Sequence, residues 1–203
     1  ASTSYGTATV GKIYVFQYNS STNTWDTYGS NQSILEGTTN SNEQLGHNGI
    51  SMSGDGSTIA GADRLGVSAV RIFKLVSSSW TQIGTFSTSS VSYVRPSLNY
   101  DGSRVIFNSI TNQQALVYDY SGSGTSWSQV GSAITNTGGS DMDSHTSINK
   151  EGNIIAVHEQ TNQTVKIYQY DATMTGSWKQ LGTTLSDSYG SSGNFGEKMR
   201  LIA

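Results

Sequence analysis

Apolar residues occur in short runs, alternating with polar ones every second position. Four such runs stand out: Ile13-Tyr14-Val15-Phe16, Val70-Arg71-Ile72-Phe73, Leu116-Val117-Tyr118 and Val165-Lys166-Ile167-Tyr168. β-Branched and aromatic side chains at period two predict strands. Each run leads through a stretch rich in Ser, Thr, Asn and Gly to a tryptophan, at positions 25, 80, 127 and 178. No segment sustains the 3.6-residue apolar period of an amphipathic helix, and Pro96 is the only proline. The pattern therefore predicts an all-β chain with essentially no helix.

The same pattern repeats. Trp25, Trp80, Trp127 and Trp178 lie 55, 47 and 51 residues apart. Each is followed by a large apolar residue at the third position and a glycine at the fourth, giving Gly29, Gly84, Gly131 and Gly182. Upstream of three of the tryptophans sits an acidic-glycine pair: Asp55-Gly56, Asp101-Gly102 and Glu151-Gly152. Asp-Gly between alternating runs is a hairpin signal, because glycine reaches positive φ without strain. Each unit then reads strand, acidic turn, strand, loop, strand, polar turn, Trp-bearing strand. Four antiparallel strands at a period of roughly 50 residues describe a β-propeller blade.

On this reading the chain is a single β-propeller domain. Residues 1–44 hold the outer half of one blade. Residues 45–90, 91–140 and 141–194 hold three blades, and 195–203 hold a closing strand, with Phe195-Gly196 corresponding to Leu45-Gly46. Four blades, one shared between the termini, are expected. The competing expectation is a segment of a longer array, because the acidic turn that should follow Ala203 is missing and Ala1 to Tyr5 is weakly apolar.

Composition narrows the function classes. Net charge is -3, from 11 Lys+Arg and 14 Asp+Glu, so no strong field attracts nucleic acid or an anionic membrane. Only 12% of residues are charged, against about 25% in ordinary domains. Ser, Thr, Asn, Gln and Gly must wet the surface, which suits an extracellular or cell-surface setting. Cysteine is absent, which removes disulfides and thiolate metal sites. No run approaches the ~20 apolar residues of a membrane span. Three sequons, at Asn19-Ser20-Ser21, Asn31-Gln32-Ser33 and Asn162-Gln163-Thr164, are what chance supplies in so Ser/Thr-rich a chain.

The repeated residues read as structural. The tryptophans recur at one blade position and suit packing between blades; the competing reading is a stacking platform for sugar rings. Asp55, Asp101 and Glu151 read as turn residues, since one carboxylate per turn is far short of the oxygens that calcium takes. Asp141-Met142-Asp143 is a slightly better calcium candidate, but two acids do not make a site. His47, His145 and His158 show no zinc spacing, and no acid pair is singled out for glycoside hydrolysis. Tyr5, Tyr93, Tyr100, Tyr120, Tyr170 and Tyr189, in or near loops, suit carbohydrate or protein contacts or half-buried loop anchors. No cofactor or metal is implied.

The order Phe/Leu-Gly, strand, Asp-Gly, Ile-Ala, apolar strand and W-x-x-x-G resembles FG-GAP-like secreted propeller repeats. The stretch from Arg95 to Phe107 is similar to a TolB-type propeller strand pair, and Ile13 to Trp25 looks kelch-like. The chain lacks the multi-Asp calcium loop of the first and the double glycine of the last. The resemblance implies a non-catalytic extracellular interaction or structural module, bound to other proteins of a surface assembly or to glycans. A carbohydrate-binding lectin with repeated sites is the alternative, and a glycosidase or lyase a more distant one.

Overall fold

The computed structural model describes residues 2–4, 10–37, 44–63, 70–87, 94–109, 113–135, 145–159, 162–173, 177–187, 195–196 and 199–201. The pair Asp141 and Asp143, and Tyr5, Tyr93 and Tyr189, lie outside them. Apart from one 3₁₀ turn at Gln32–Leu35, the regular secondary structure of the described residues is all strand. A two-stranded sheet pairs β1 (Ser2–Ser4) with β2 (Lys12–Tyr14), and another pairs β3 (Phe16–Asn19) with β4 (Thr24–Thr27).

Three larger antiparallel sheets follow. The first runs in order β5 (Gly49–Met52), β6 (Thr58–Ala62), β7 (Val70–Val76) and β8 (Ser79–Phe86). The second runs β9 (Ser97–Leu98), β10 (Arg104–Ser109), β11 (Gln114–Tyr120) and β12 (Trp127–Gln129), and β13 (Ile134–Thr135) also pairs with β11. The third repeats this with β14 (Thr146–Ile148), β15 (Ile154–Glu159), β16 (Thr164–Asp171), β17 (Ser177–Gln180) and β18 (Leu185–Ser186), which pairs with β16. Consecutive four-stranded antiparallel sheets of this order make a β-propeller fold.

The core lies between sheets. Ile13, Val15, Leu35 and Leu45 pack against Ile59, Phe73 and Trp80. Ala60, Val70 and Ile72 pack against Val94, Val105 and Phe107. Ile106 and Val117 pack against Ile148, Ile155 and Val157. Each sheet thus buries a face against the next, and no sheet has a core of its own.

The tryptophan motif couples each sheet to the one before. Trp80 donates its indole N–H to the Tyr28 carbonyl at 2.8 Å, Trp127 to Ile83 at 2.8 Å and Trp178 to Val130 at 2.9 Å. The acceptor is always the residue three beyond the preceding tryptophan. The glycine that follows the acceptor makes room for the incoming ring. A Cβ on Gly84 would lie 2.7 Å from Trp127 Nε1, and one on Gly29 would lie 2.7 Å from Trp80 Nε1. The large apolar residue and the glycine of one unit are therefore the seat for the tryptophan of the next.

The acidic turns interlock as well. Asp55 N–H donates to the Tyr100 carbonyl at 3.0 Å, and Tyr100 N–H to the Lys150 carbonyl at 3.1 Å. Within each turn a side chain closes the hairpin. Ser53 Oγ accepts from Thr58 N–H, Asn99 Oδ1 from Arg104 N–H and Asn149 Oδ1 from Ile154 N–H, all at 2.9 Å.

Trp80→Ala should cost about 3–5 kcal/mol, the range for emptying a fully buried aromatic site. Gly84→Ala should cost about 1–3 kcal/mol through overpacking against the Trp127 indole. Urea unfolding checks both; losses below about 0.5 kcal/mol would mean that the inter-sheet seat does not hold the blades together.

Candidate functional site

The inner strands β5, β9 and β14 border a cavity of about 560 Å³, closed further by Met199, Arg200 and Leu201. This volume suits a small ligand. Counting back from the acidic turns, three serines stand at one register position: Ser51, Ser97 and Ser147. Two of them tie neighbouring segments together. Ser51 Oγ accepts from Leu98 N–H at 3.0 Å, and Ser147 Oγ accepts from Leu201 N–H at 2.9 Å.

Two residues further back, the repeats differ. The position holds Gly49, Arg95 and His145, all of which line the cavity. Arg95 Nη1 lies 3.1 Å from His145 Nδ1 and also rests against Nε2 of the same ring. A guanidinium only donates, so the imidazole accepts from it. The backbone of Arg95 is fixed on both sides. Its N–H donates to buried Asn108 Oδ1 at 3.1 Å, and its carbonyl accepts from Thr146 Oγ1 at 3.2 Å. His145 in turn uses its carbonyl to accept from His158 N–H at 3.1 Å. The two imidazoles lie 6.5 Å apart, with His158 fully buried. Lys150 and Arg200 add two further cations at the exposed rim. No Asp or Glu is among the described residues that line the cavity.

Buried carboxylates lie elsewhere and face cations. Asp63 Oδ2 is 3.3 Å from Arg71 Nη2, and Glu159 Oε1 is 2.8 Å from Lys166 Nζ. No cluster of three metal-ligating side chains occurs among the described residues.

None of the repeated sequence residues lines the cavity. The tryptophans stand on the outer strands β4, β8, β12 and β17. Trp80 is fully buried, Trp127 and Trp178 are half-buried, and Trp25 is 69% exposed. Tyr120 and Tyr170 each pack on the tryptophan of their own sheet at 5.2 Å. Tyr100 lies on the cavity border, with Lys150 Nζ 5.0 Å from its ring centroid. Asp55 and Asp101 accept from Ser57 N–H and Ser103 N–H in their turns, at 2.9 Å each. Glu151 accepts from Asn149 Nδ2, also at 2.9 Å.

No family model matches this chain. No curated protein matches it either. Solved structures do match. A protein of Bacteroides fragilis named as a 6-phosphogluconolactonase superposes with a TM-score of 0.60 at 13% identity, over 90% of this chain and 52% of that one. A Bacteroides uniformis protein of the same name gives 0.61 at 12%, over 91% and 50%. The periplasmic gluconolactonase of Pseudomonas aeruginosa gives 0.57 at 14%, over 89% and 49%. At these identities the likeness shows the propeller fold. The chain spans about half the length of these structures.

These matches correct two expectations. The resemblance to FG-GAP-like, TolB-type and kelch-like repeats gives way to a likeness to lactonase propellers. The motifs quoted for it are those that any blade needs for turns and inter-blade seats, so they could not distinguish families. The expectation of a non-catalytic interaction or structural module, and of no enzyme, is overturned with it, because proteins sharing this fold are named as enzymes. Repeated lectin sites fit poorly with a cavity whose residues change from Gly49 to Arg95 to His145. The described cavity residues include no carboxylate pair of the kind a glycosidase uses. No helix among the described residues is long and apolar enough to cross a membrane; this and the periplasmic relative in fold are compatible with a secreted protein.

The turn carboxylates make stability acid-sensitive. Burial pushes Asp55 up and so, weakly, does Asp101, but hydrogen bonds from Ser53 and Ser57 outweigh both and leave it below 3.8. Burial likewise raises Asp101, and hydrogen bonds from Ser103 and Asn99 outweigh it. A folded-state value below the unfolded one contributes stability above 3.8 that is lost as pH falls through the folded value. Denaturation midpoints of the parent and an Asp55→Asn/Asp101→Asn variant should therefore differ at neutral pH and converge in strong acid. A constant gap would show that these carboxylates play no charged role.

Proposed function

We propose that this chain hydrolyses a sugar lactone in the axial cavity, outside the cell. The observation that carries the reading is the Arg95–His145 pair on the cavity wall. The lactonase names of proteins that share the fold support it.

A lactone is an ester closed in a ring. Water must add to the carbonyl carbon, and negative charge then develops on the carbonyl oxygen. Arg95 supplies fixed N–H donors and a full positive charge for that oxygen, which is the term that contributes most in acyl transfer. His145 is the base. When the substrate carbonyl takes over the Arg95 donor, the imidazole lone pair is released to accept a proton from the attacking water. The ring C–O bond then breaks, and the imidazolium returns the proton to the departing ring oxygen. The product is an open-chain hydroxy acid. Ser51 and Ser97, both half-buried on the cavity border, have hydroxyls to donate to sugar oxygens. Arg200 at the rim suits an anionic substituent such as a phosphate.

Acid release from glucono-δ-lactone and from its 6-phosphate, followed with a pH indicator, tests the reading. The chain should exceed spontaneous hydrolysis, and His145→Gln and Arg95→Gln should each lower kcat about 10²–10³-fold with unchanged circular dichroism. Arg200→Gln should raise KM for the phosphorylated substrate alone. A rate equal to that of buffer with both lactones would overturn the reading.

A further inference from the structure

Behind the cavity wall, a second set of residues varies in step with the first. Thirteen positions after Gly49, Arg95 and His145 stand Ala62, Asn108 and His158, one on each of β6, β10 and β15. All three are buried, with 0%, 0% and 1% of their surface exposed. Glycine has an alanine behind it, arginine an amide and histidine an imidazole. The core beside them does not vary in this way: ten positions after the same three residues stand Ile59, Val105 and Ile155. A polar side chain thus enters the interior only where the cavity residue in front of it is polar.

Arg95 is also held differently from its counterparts. In the first and third sheets the two positions meet through the main chain. Gly49 pairs with Ala62 in the β5–β6 register, and His158 N–H donates to the His145 carbonyl at 3.1 Å. In the second sheet the β9–β10 register holds only Leu98 with Val105 and Ser97 with Ile106. Beyond those pairs the Asn108 side chain takes the place of the main chain, its Oδ1 accepting from Arg95 N–H at 3.1 Å. The Arg95 carbonyl turns the other way and accepts from Thr146 Oγ1 of the next sheet at 3.2 Å. In a regular antiparallel ladder a residue turns both groups to one neighbour. Arg95 divides them between β10 and β14, and its guanidinium meets His145 of the same next sheet. All of these groups lie at the step between the second and third sheets.

We propose that Asn108 is the positioning residue of the site: its amide oxygen takes the Arg95 main chain off the ladder and places the guanidinium against His145. The catalytic consequence rests on the lactonase reading; the placement of Arg95 does not. Leaving a buried amide oxygen without its donor is costly, so the bond fixes the Arg95 backbone. The first sheet shows the alternative. With alanine behind it, the inner residue joins the ladder through the main chain. In Asn108→Ala, Arg95 should do the same and draw its guanidinium away from His145.

The imidazole resonances of His145, followed by nuclear magnetic resonance without substrate, test the placement in the parent, Asn108→Ala, Arg95→Gln and the double variant. Arg95→Gln removes the contact and sets the reference. Asn108→Ala should move the resonances in the same direction. The double variant should match Arg95→Gln alone, because substitutions acting on one contact are not additive. Alanine already occupies this position in the first sheet, so the variant should fold. Asn108→Leu fills the buried space without an acceptor and gives the same reading if Asn108→Ala does not fold. In turnover, Asn108→Ala should lower kcat about 10²-fold, the cost of a misplacement of roughly 1 Å, with no further loss in the Arg95→Gln background. A merely structural role would lower the unfolding midpoint and leave the His145 resonances of the folded protein in place. That result, or a double variant equal to the sum of the single ones, would overturn the proposal. A parent that turns over neither lactone would overturn the lactonase reading instead, and the resonances would still decide whether Asn108 places Arg95.

Discussion

The fold depends on a hydrogen bond that crosses from sheet to sheet. An indole N–H buried without an acceptor costs more than a made hydrogen bond contributes. Each tryptophan can therefore enter the inter-sheet core only where the preceding unit presents a carbonyl and leaves space beside it. The apolar residue three beyond the previous tryptophan presents the carbonyl, and the glycine after it leaves the space. Trp80, Trp127 and Trp178 meet this condition against Tyr28, Ile83 and Val130. A four-stranded blade is too thin to bury both faces alone, so stability is shared between neighbours, as in other repeat folds.

That coupling positions the cavity. Outer strands locked by tryptophan seats, and turns locked by the Asp55–Tyr100 and Tyr100–Lys150 backbone bonds, leave the inner strands at fixed spacing. Equivalent residues of successive blades then converge on one space. A repeat so built offers a site with one variable position per blade. Here Gly49 contributes room, Arg95 a cation and His145 an imidazole. Convergence of unlike residues from like positions is how a repetitive scaffold acquires one asymmetric site.

This division also explains what could be read from the sequence. The strands, the acidic turns and the tryptophan-glycine period were legible because each blade needs the same chemistry. Trp25 to Gly29 announces itself by recurring as Trp80 to Gly84. The site was hidden for the same reason. Arg95 and His145 occupy one register position, six residues before Asp101 and Glu151, yet share no residue type, and repetition is blind to them. The available signal was the opposite of repetition: in units aligned on their acidic turns, the position that changes from glycine to arginine to histidine beside an unchanging serine. The contact between Arg95 and His145 itself spans 50 residues and comes only from blade geometry. The pairing of Asp63 with Arg71 and of Glu159 with Lys166 is likewise tertiary, since these acids stand out only once β6 and β15 end in the interior.

The central claim is that one small-molecule site lies on the axis between Arg95 and His145. The most direct measurement is a titration with gluconate, the open-chain product, followed by the imidazole resonances of the three histidines in nuclear magnetic resonance. The account predicts a saturable shift of the His145 ring, with the exposed His47 ring unchanged and the response lost in Arg95→Gln. Shifts at His47 alone, or a His145 ring indifferent to gluconate and to its 6-phosphate, would contradict it.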